Sequence, residues 1–99
     1  MNVAPSGNPV VVQKYGGTSV ASTDRICAIA DRLLRARETH KRLVVVVSAM
    51  GAATDELVAL AHQVSVEPTG REMDLLLATG EQVAVSLLGL ALQGLGVPA

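Results

Sequence analysis

The sequence predicts an α/β fold on a parallel sheet, and three observations carry that expectation. Two apolar runs rich in β-branched residues, Val10-Val11-Val12 and Leu43-Val44-Val45-Val46-Val47, read as strands. The second run is too uniform for a strand with one wet face and suits a parallel strand covered on both sides. Between them lies a segment of clear helical periodicity, which makes strand, helix and strand one βαβ unit with an expected right-handed crossover.

The first strand leads into Lys14-Tyr15-Gly16-Gly17-Thr18-Ser19. Glycines let a ligand approach the backbone with no Cβ in the way. Successive N–H groups at such a turn form an anion-binding concavity, and the positive end of the following helix points at the same place. Lys14 adds a full charge where the strand ends. A tight turn with a solvated lysine accounts for the same residues equally well. The loop is neither a P-loop nor a dinucleotide fingerprint, because Gly-x-x-x-x-Gly-Lys-Ser/Thr is absent and the third glycine of Gly-x-Gly-x-x-Gly is missing.

Ser22 or Thr23 is the expected N-cap of the first helix, with Asp24 in its first turn. Ile26, Ile29, Ala30, Leu33 and Leu34 recur with helical spacing, while Arg25, Asp31, Arg32, Arg35 and Glu38 fill the other faces. His40 and Lys41 close the helix as cations at its negative end, which explains His40 without any chemistry. Cys27 is expected on the apolar side as a small buried hydrophobe. After the second strand comes another small, polar loop, Ser48 to Asp55. In open α/β sheets ligands bind beyond the carboxyl ends of strands, so both loops open onto one edge.

Thr54 is the expected N-cap of a second helix through Leu57, Val58, Leu60, Ala61 and Val64, with Asp55 and Glu56 in its first turn. His62 near its end reads as a surface residue. Val66 to Gly70 reads as a loop. Thr69-Gly70-Arg71-Glu72 fits a capping box opening a third helix, and Thr79-Gly80-Glu81-Gln82 fits a second one opening a fourth. Gly94, Gly96 and Pro98 should end the fourth. From Val83 to Leu92 only Ser86 interrupts the apolar character, so this helix needs a core on more than one side. Two strands do not supply that core, and the chain is expected to be part of a larger α/β fold.

Composition narrows the function classes. The 99 residues are 49% hydrophobic with a formal net charge of −1, which provides no electrostatic footprint for nucleic acid or an anionic membrane. Tyr15, the one aromatic residue, makes no stacking platform for bases. A lone cysteine fits a reducing compartment. Residues 1–9 carry no secretory pattern and are expected to form a disordered leader. The apolar stretches are interrupted short of the ~18 residues of a membrane span. A cytoplasmic protein with no membrane and no nucleic-acid partner is the expectation.

Three blocks together resemble the aspartate kinases of the amino acid kinase family. They are Lys14-Tyr15-Gly16-Gly17-Thr18-Ser19-Val20, then Val47-Ser48-Ala49-Met50-Gly51 with Thr54-Asp55, then the stretch from Arg71 to Gln82. They occur in the family's order, and the resemblance runs from about Val10 onward. It implies the N-terminal part of a three-layer αβα kinase domain over residues 10–99, with an incomplete sheet and with the ACT regulatory domains absent. The implied activity is ATP-dependent phosphorylation of the L-aspartate side-chain carboxylate, which opens the route to lysine, threonine, methionine and diaminopimelate.

By the same resemblance Lys14 is the catalytic cation. Lys14, Tyr15, Gly16, Gly17 and Ser48 hold the ATP phosphates, and Ser19, Thr54 and Glu81 hold aspartate, with Glu81 on its α-ammonium. Without the resemblance, Glu81 is simply a residue near a helix start. No metal ligand is assigned here. The family's Mg²⁺-proximal acid and an Arg-Gly-Gly-Ser-Asp-like segment fall later, as does the adenine pocket. The 99 residues alone are therefore expected to be inactive, and to associate as a homo-oligomer or with the remainder of a kinase. The alternatives are a kinase of acetylglutamate, glutamate or uridylate, or a non-catalytic α/β module completed by a partner.

Overall fold

The computed structural model describes residues 9–99, so the expected leader lies outside the described residues apart from Pro9. The order is β1 (Val10–Tyr15), α1 (Thr23–Thr39), β2 (Arg42–Val47), α2 (Ala53–Val64) and α3 (Arg71–Gly94). The strands pair in parallel, from Val10 opposite Arg42 to Tyr15 opposite Val47. This is the expected βαβ unit.

Side-chain alternation along the strands separates two faces. Tyr15, Leu43, Val45 and Val47 meet a core of Val20, Ile26, Ile29, Ala30 and Leu33 with Leu88 and Leu92 of α3. On the opposite face Val10, Val12, Val44 and Val46 remain exposed, Val12 by 62%. The expectation that β2 is covered on both sides is met on one side only among the described residues.

α1 begins where expected. The Oγ of Ser22 accepts from the Arg25 amide at 3.2 Å, which satisfies one of the unpaired donors of the first turn. Ile26, Ile29, Ala30 and Leu33 form its buried stripe. Cys27 is exposed, contrary to expectation. It sits about 100° around the helix from Ile26, and the buried stripe is too narrow to include it.

Two helix starts differ from their expectations. In α2 the cap position is Ala52, with no side-chain cap bond, so Thr54 lies within the first turn. Further on, the two expected helices are one continuous helix of 24 residues. Its cap is Gly70 at φ +79°, a conformation that favours glycine over Thr69. At the second expected start, the Thr79 hydroxyl donates to the Leu76 carbonyl at 2.6 Å, as a residue inside a helix does.

Gly80 is buried inside α3 rather than opening a new helix, and a side chain there would crowd Ala49 and Leu57. α3 does end where expected, with Gly96 at φ +79° and the Val97 amide donating to the Leu92 carbonyl at 2.9 Å. The fusion makes α3 long and apolar enough to cross a membrane by length and composition alone. Its stripe of Gly80, Ala84, Leu88 and Leu92 is nevertheless buried, with Leu88 and Leu92 in the core against α1 and the sheet.

Candidate active site

Parallel strands put the loops that follow them at one edge of the sheet, and here main-chain bonds join those loops. The Ser48 amide donates to the Tyr15 carbonyl at 3.0 Å, extending the ladder by a step, and the Gly51 amide donates to the Gly17 carbonyl at 2.9 Å. Between these contacts, the Gly16 carbonyl accepts from the amides of Ser19 and Val20 at 3.0 and 3.3 Å. The carbonyls of residues 15–17 are thus turned inward and occupied. None of the amides of Gly16, Gly17 and Thr18 is a donor in these turn bonds. A loop that consumes its acceptors and keeps its donors suits an anion.

The two glycines have different reasons to be glycine. A Cβ on Gly17 would stand 3.1 Å from the Ala49 carbonyl oxygen and 3.3 Å from that of Gly51, so Gly17 permits the loops to touch. A Cβ on Gly16 would meet no protein atom within 4 Å, so the space it leaves is open to a ligand. The exposed Lys14 lies one residue before the end of β1, opposite Val46. Gly51, at φ +50°, makes the turn that carries the second loop toward the first.

Lys14, Gly16, Gly17 and Ser48 are therefore brought to one edge. Tyr15 contributes there through its main chain, since its ring is buried and its hydroxyl donates to Gln13 Oε1 at 2.6 Å. Ser19 is half-buried on the same turn and lines a cavity of about 210 Å³ with Tyr15, Arg25, Ala28, Ile29 and Arg32. Sequence reasoning left both arginines as surface charge, yet their seven-residue spacing already placed them on one helix face. Thr54 is exposed in the first turn of α2, just beyond the bond from the Ala53 amide to the Met50 carbonyl.

Glu81 is exposed on α3 and lines an open groove with Val45, Val46, Val47, Ala78, Gln82 and Val85. It therefore flanks the carboxyl end of β2, beside which the glycine loop lies. Its neighbour Gly80 connects it to the second loop. A Cβ on Gly80 would be 3.2 Å from the Ala49 Cβ and 3.3 Å from Leu57 Cδ1. No cluster of three or more His, Cys, Asp or Glu able to hold a metal occurs among the described residues.

A parallel α/β unit with paired strand-end loops, free amides and a lysine is an arrangement suited to an anionic ligand. Comparison with known proteins is more specific: the profile of the amino acid kinase family matches residues 9–99, and the chain belongs to that family. It is 57% identical over 90 residues to an aspartokinase of Thermus thermophilus, an alignment covering 91% of this chain and 22% of that protein. Aspartokinase 2 of Bacillus subtilis is 54% identical over the same length, again 91% of this chain and 22% of the relative. The crystal structure of aspartate kinase from Synechocystis superposes with a TM-score of 0.83 at 56% identity, over 88% of this chain and 15% of that one. The chain thus spans about a fifth of the length of the curated relatives it matches. The shared fold is the incomplete α/β amino acid kinase fold expected from the sequence.

Proposed function

We propose that this segment belongs to an aspartate kinase that transfers the γ-phosphoryl group of ATP to the side-chain carboxylate of L-aspartate. A carboxylate oxygen attacks the γ-phosphorus, the bond to the bridging oxygen breaks, and ADP and 4-phospho-L-aspartate result. The reading rests above all on the joined loops, where inward carbonyls leave the amides of residues 16–18 free beside Lys14. Phosphoryl transfer depends on positioning and electrostatic stabilisation more than on covalent chemistry, and this arrangement supplies both. The similarity to aspartokinases at 57% and 54% identity supports aspartate as the acceptor.

In this reading Lys14 neutralises charge on the transferring group, the amides of Gly16 and Gly17 cradle the phosphates with Ser48 beside them, and Tyr15 anchors the loop through its carbonyl bond to the Ser48 amide. Glu81 takes the α-ammonium of aspartate, while Ser19 and Thr54 complete the acceptor side. The Mg²⁺ that accompanies ATP finds no ligand cluster among the described residues, and no step is assigned to it here. Product 4-phospho-L-aspartate would feed lysine, threonine, methionine and diaminopimelate synthesis. The setting is a reducing cytoplasm, in keeping with a single exposed cysteine. The exposed valine face is covered by the remainder of the kinase or by a second copy.

Two variants of the full-length kinase separate the roles. Lys14→Ala should lower kcat by ~10²–10³-fold, the effect of losing one electrostatic group that acts in the transition state. Glu81→Gln should mainly raise the KM for aspartate and leave that for ATP unchanged, because the ammonium takes no part in the reaction. An unchanged aspartate KM in Glu81→Gln would return Glu81 to a surface position on α3. An effect of Lys14→Ala confined to aspartate KM would remove Lys14 from the phosphoryl group.

A further inference from the structure

Ala49 is 4% exposed and lies between two glycines from different elements. Its carbonyl oxygen would be 3.1 Å from a Cβ on Gly17, and its own Cβ 3.2 Å from a Cβ on Gly80. On one side is the phosphate-ready loop after β1, fastened by the Gly51 amide to the Gly17 carbonyl. On the other is α3, which presents Glu81 one residue beyond the contact. Both spacings are closer than an ordinary side-chain contact permits, so neither neighbour can carry a side chain without moving.

We propose that Ala49 is a positioning residue, a one-methyl spacer that sets the distance between the phosphate-binding loop and the helix carrying the aspartate-binding Glu81. The inference rests on the proposed roles of Gly17 and Glu81. In a transfer reaction, acceptor and donor must meet in near-attack geometry, and small misplacements are costly. A residue that meets the donor loop through its carbonyl and the acceptor helix through its methyl is where that spacing is set. Leu57 of α2 supports the same contact from beside it, 3.3 Å from the Gly80 Cβ position. The flexible end of Leu57 can give way, whereas Ala49 is enclosed and has no rotamer to change.

A methyl exchange in the full-length kinase tests this. Gly80→Ala adds a methyl against Ala49 and should raise aspartate KM and lower kcat, together on the order of tenfold or more, with ATP KM within about twofold. Ala49→Gly in the same protein removes the opposing methyl and should restore most of the loss. Ala49→Gly alone, which does not depend on Gly80→Ala folding, should raise aspartate KM with an unchanged helical circular dichroism spectrum. Absence of rescue in the double variant, or equal changes in aspartate and ATP KM, would overturn the spacer. Glu81→Gln measured in parallel keeps the two ideas apart. If it raises aspartate KM while the single Gly80 and Ala49 variants do not, the spacer fails alone; if it has no effect, the role of Glu81 fails instead.

Discussion

The carboxyl edge of the sheet and its open face are built from the same two strands yet satisfy opposite demands. At the edge, residues 15–17 and 48–51 are tied by main-chain bonds of 2.9 and 3.0 Å, and Gly17 lets the backbones meet. On the open face, Val12 is 62% exposed and Val10, Val44 and Val46 are nearly half exposed. Part of α3 continues the pattern, with Leu75 and Leu90 at 67% and 63%. The edge is closed within the described residues, because the parallel pairing of β1 and β2 brings the two strand-end loops together. An apolar surface of this kind is uncommon on an independent monomer, which is the ground for the proposed cover by the rest of the kinase or a second copy.

The sharpest way to break the contrast is within the glycine pair. Gly17→Ala should destabilise the fold by about 1–3 kcal/mol, the range for overpacking against atoms that have little room to move. Urea unfolding measures it. Gly16→Ala should leave the urea midpoint almost unchanged, because its new Cβ meets no protein atom, and should weaken ATP binding instead. Equal stability losses at the two positions would mean that the loop is a plain turn.

The open face gives a second, smaller effect. The 99-residue chain should associate in solution, and placing lysines at Val44 and Val46 should shift light scattering toward monomer with little change in helical content. A sharp monomer at high concentration in the unmodified chain, without dye-accessible apolar surface, would contradict the reading of this face. The smallest effect lies at the start of α1, where the chain leaves the edge loop. Ser22→Ala removes the side-chain N-cap of α1 and should cost ~1 kcal/mol in urea unfolding, leaving the open face unaffected.

The elements legible in sequence were those whose signals are local. The β-branched runs read correctly, as did a cap at Ser22 or Thr23 and the stripe of Ile26, Ile29, Ala30 and Leu33, with Leu34 at its half-buried margin, because periodicity and capping are set by near neighbours. The joining of two expected helices into α3 was not legible. Thr79-Gly80-Glu81-Gln82 has the pattern of a cap, yet Gly80 serves contact with Ala49 and Leu57, which lie 31 and 23 positions away in the chain. Cys27 illustrates the same limit, since only packing decides how wide a buried stripe becomes. At the candidate site, the meeting of the two loops followed from parallel topology. The bonds that join them, and the enclosure of Ala49, needed three-dimensional structure to appear.

The central claim is that this edge serves phosphoryl transfer to aspartate. The most direct test is formation of the acyl phosphate by the full-length kinase, trapped with hydroxylamine, with ATP and Mg²⁺ and with aspartate, glutamate or N-acetylglutamate as acceptor. The account predicts hydroxamate from aspartate alone, and its loss in Lys14→Ala. Hydroxamate formed preferentially from glutamate or N-acetylglutamate, or formation from aspartate that is indifferent to Lys14, would contradict it.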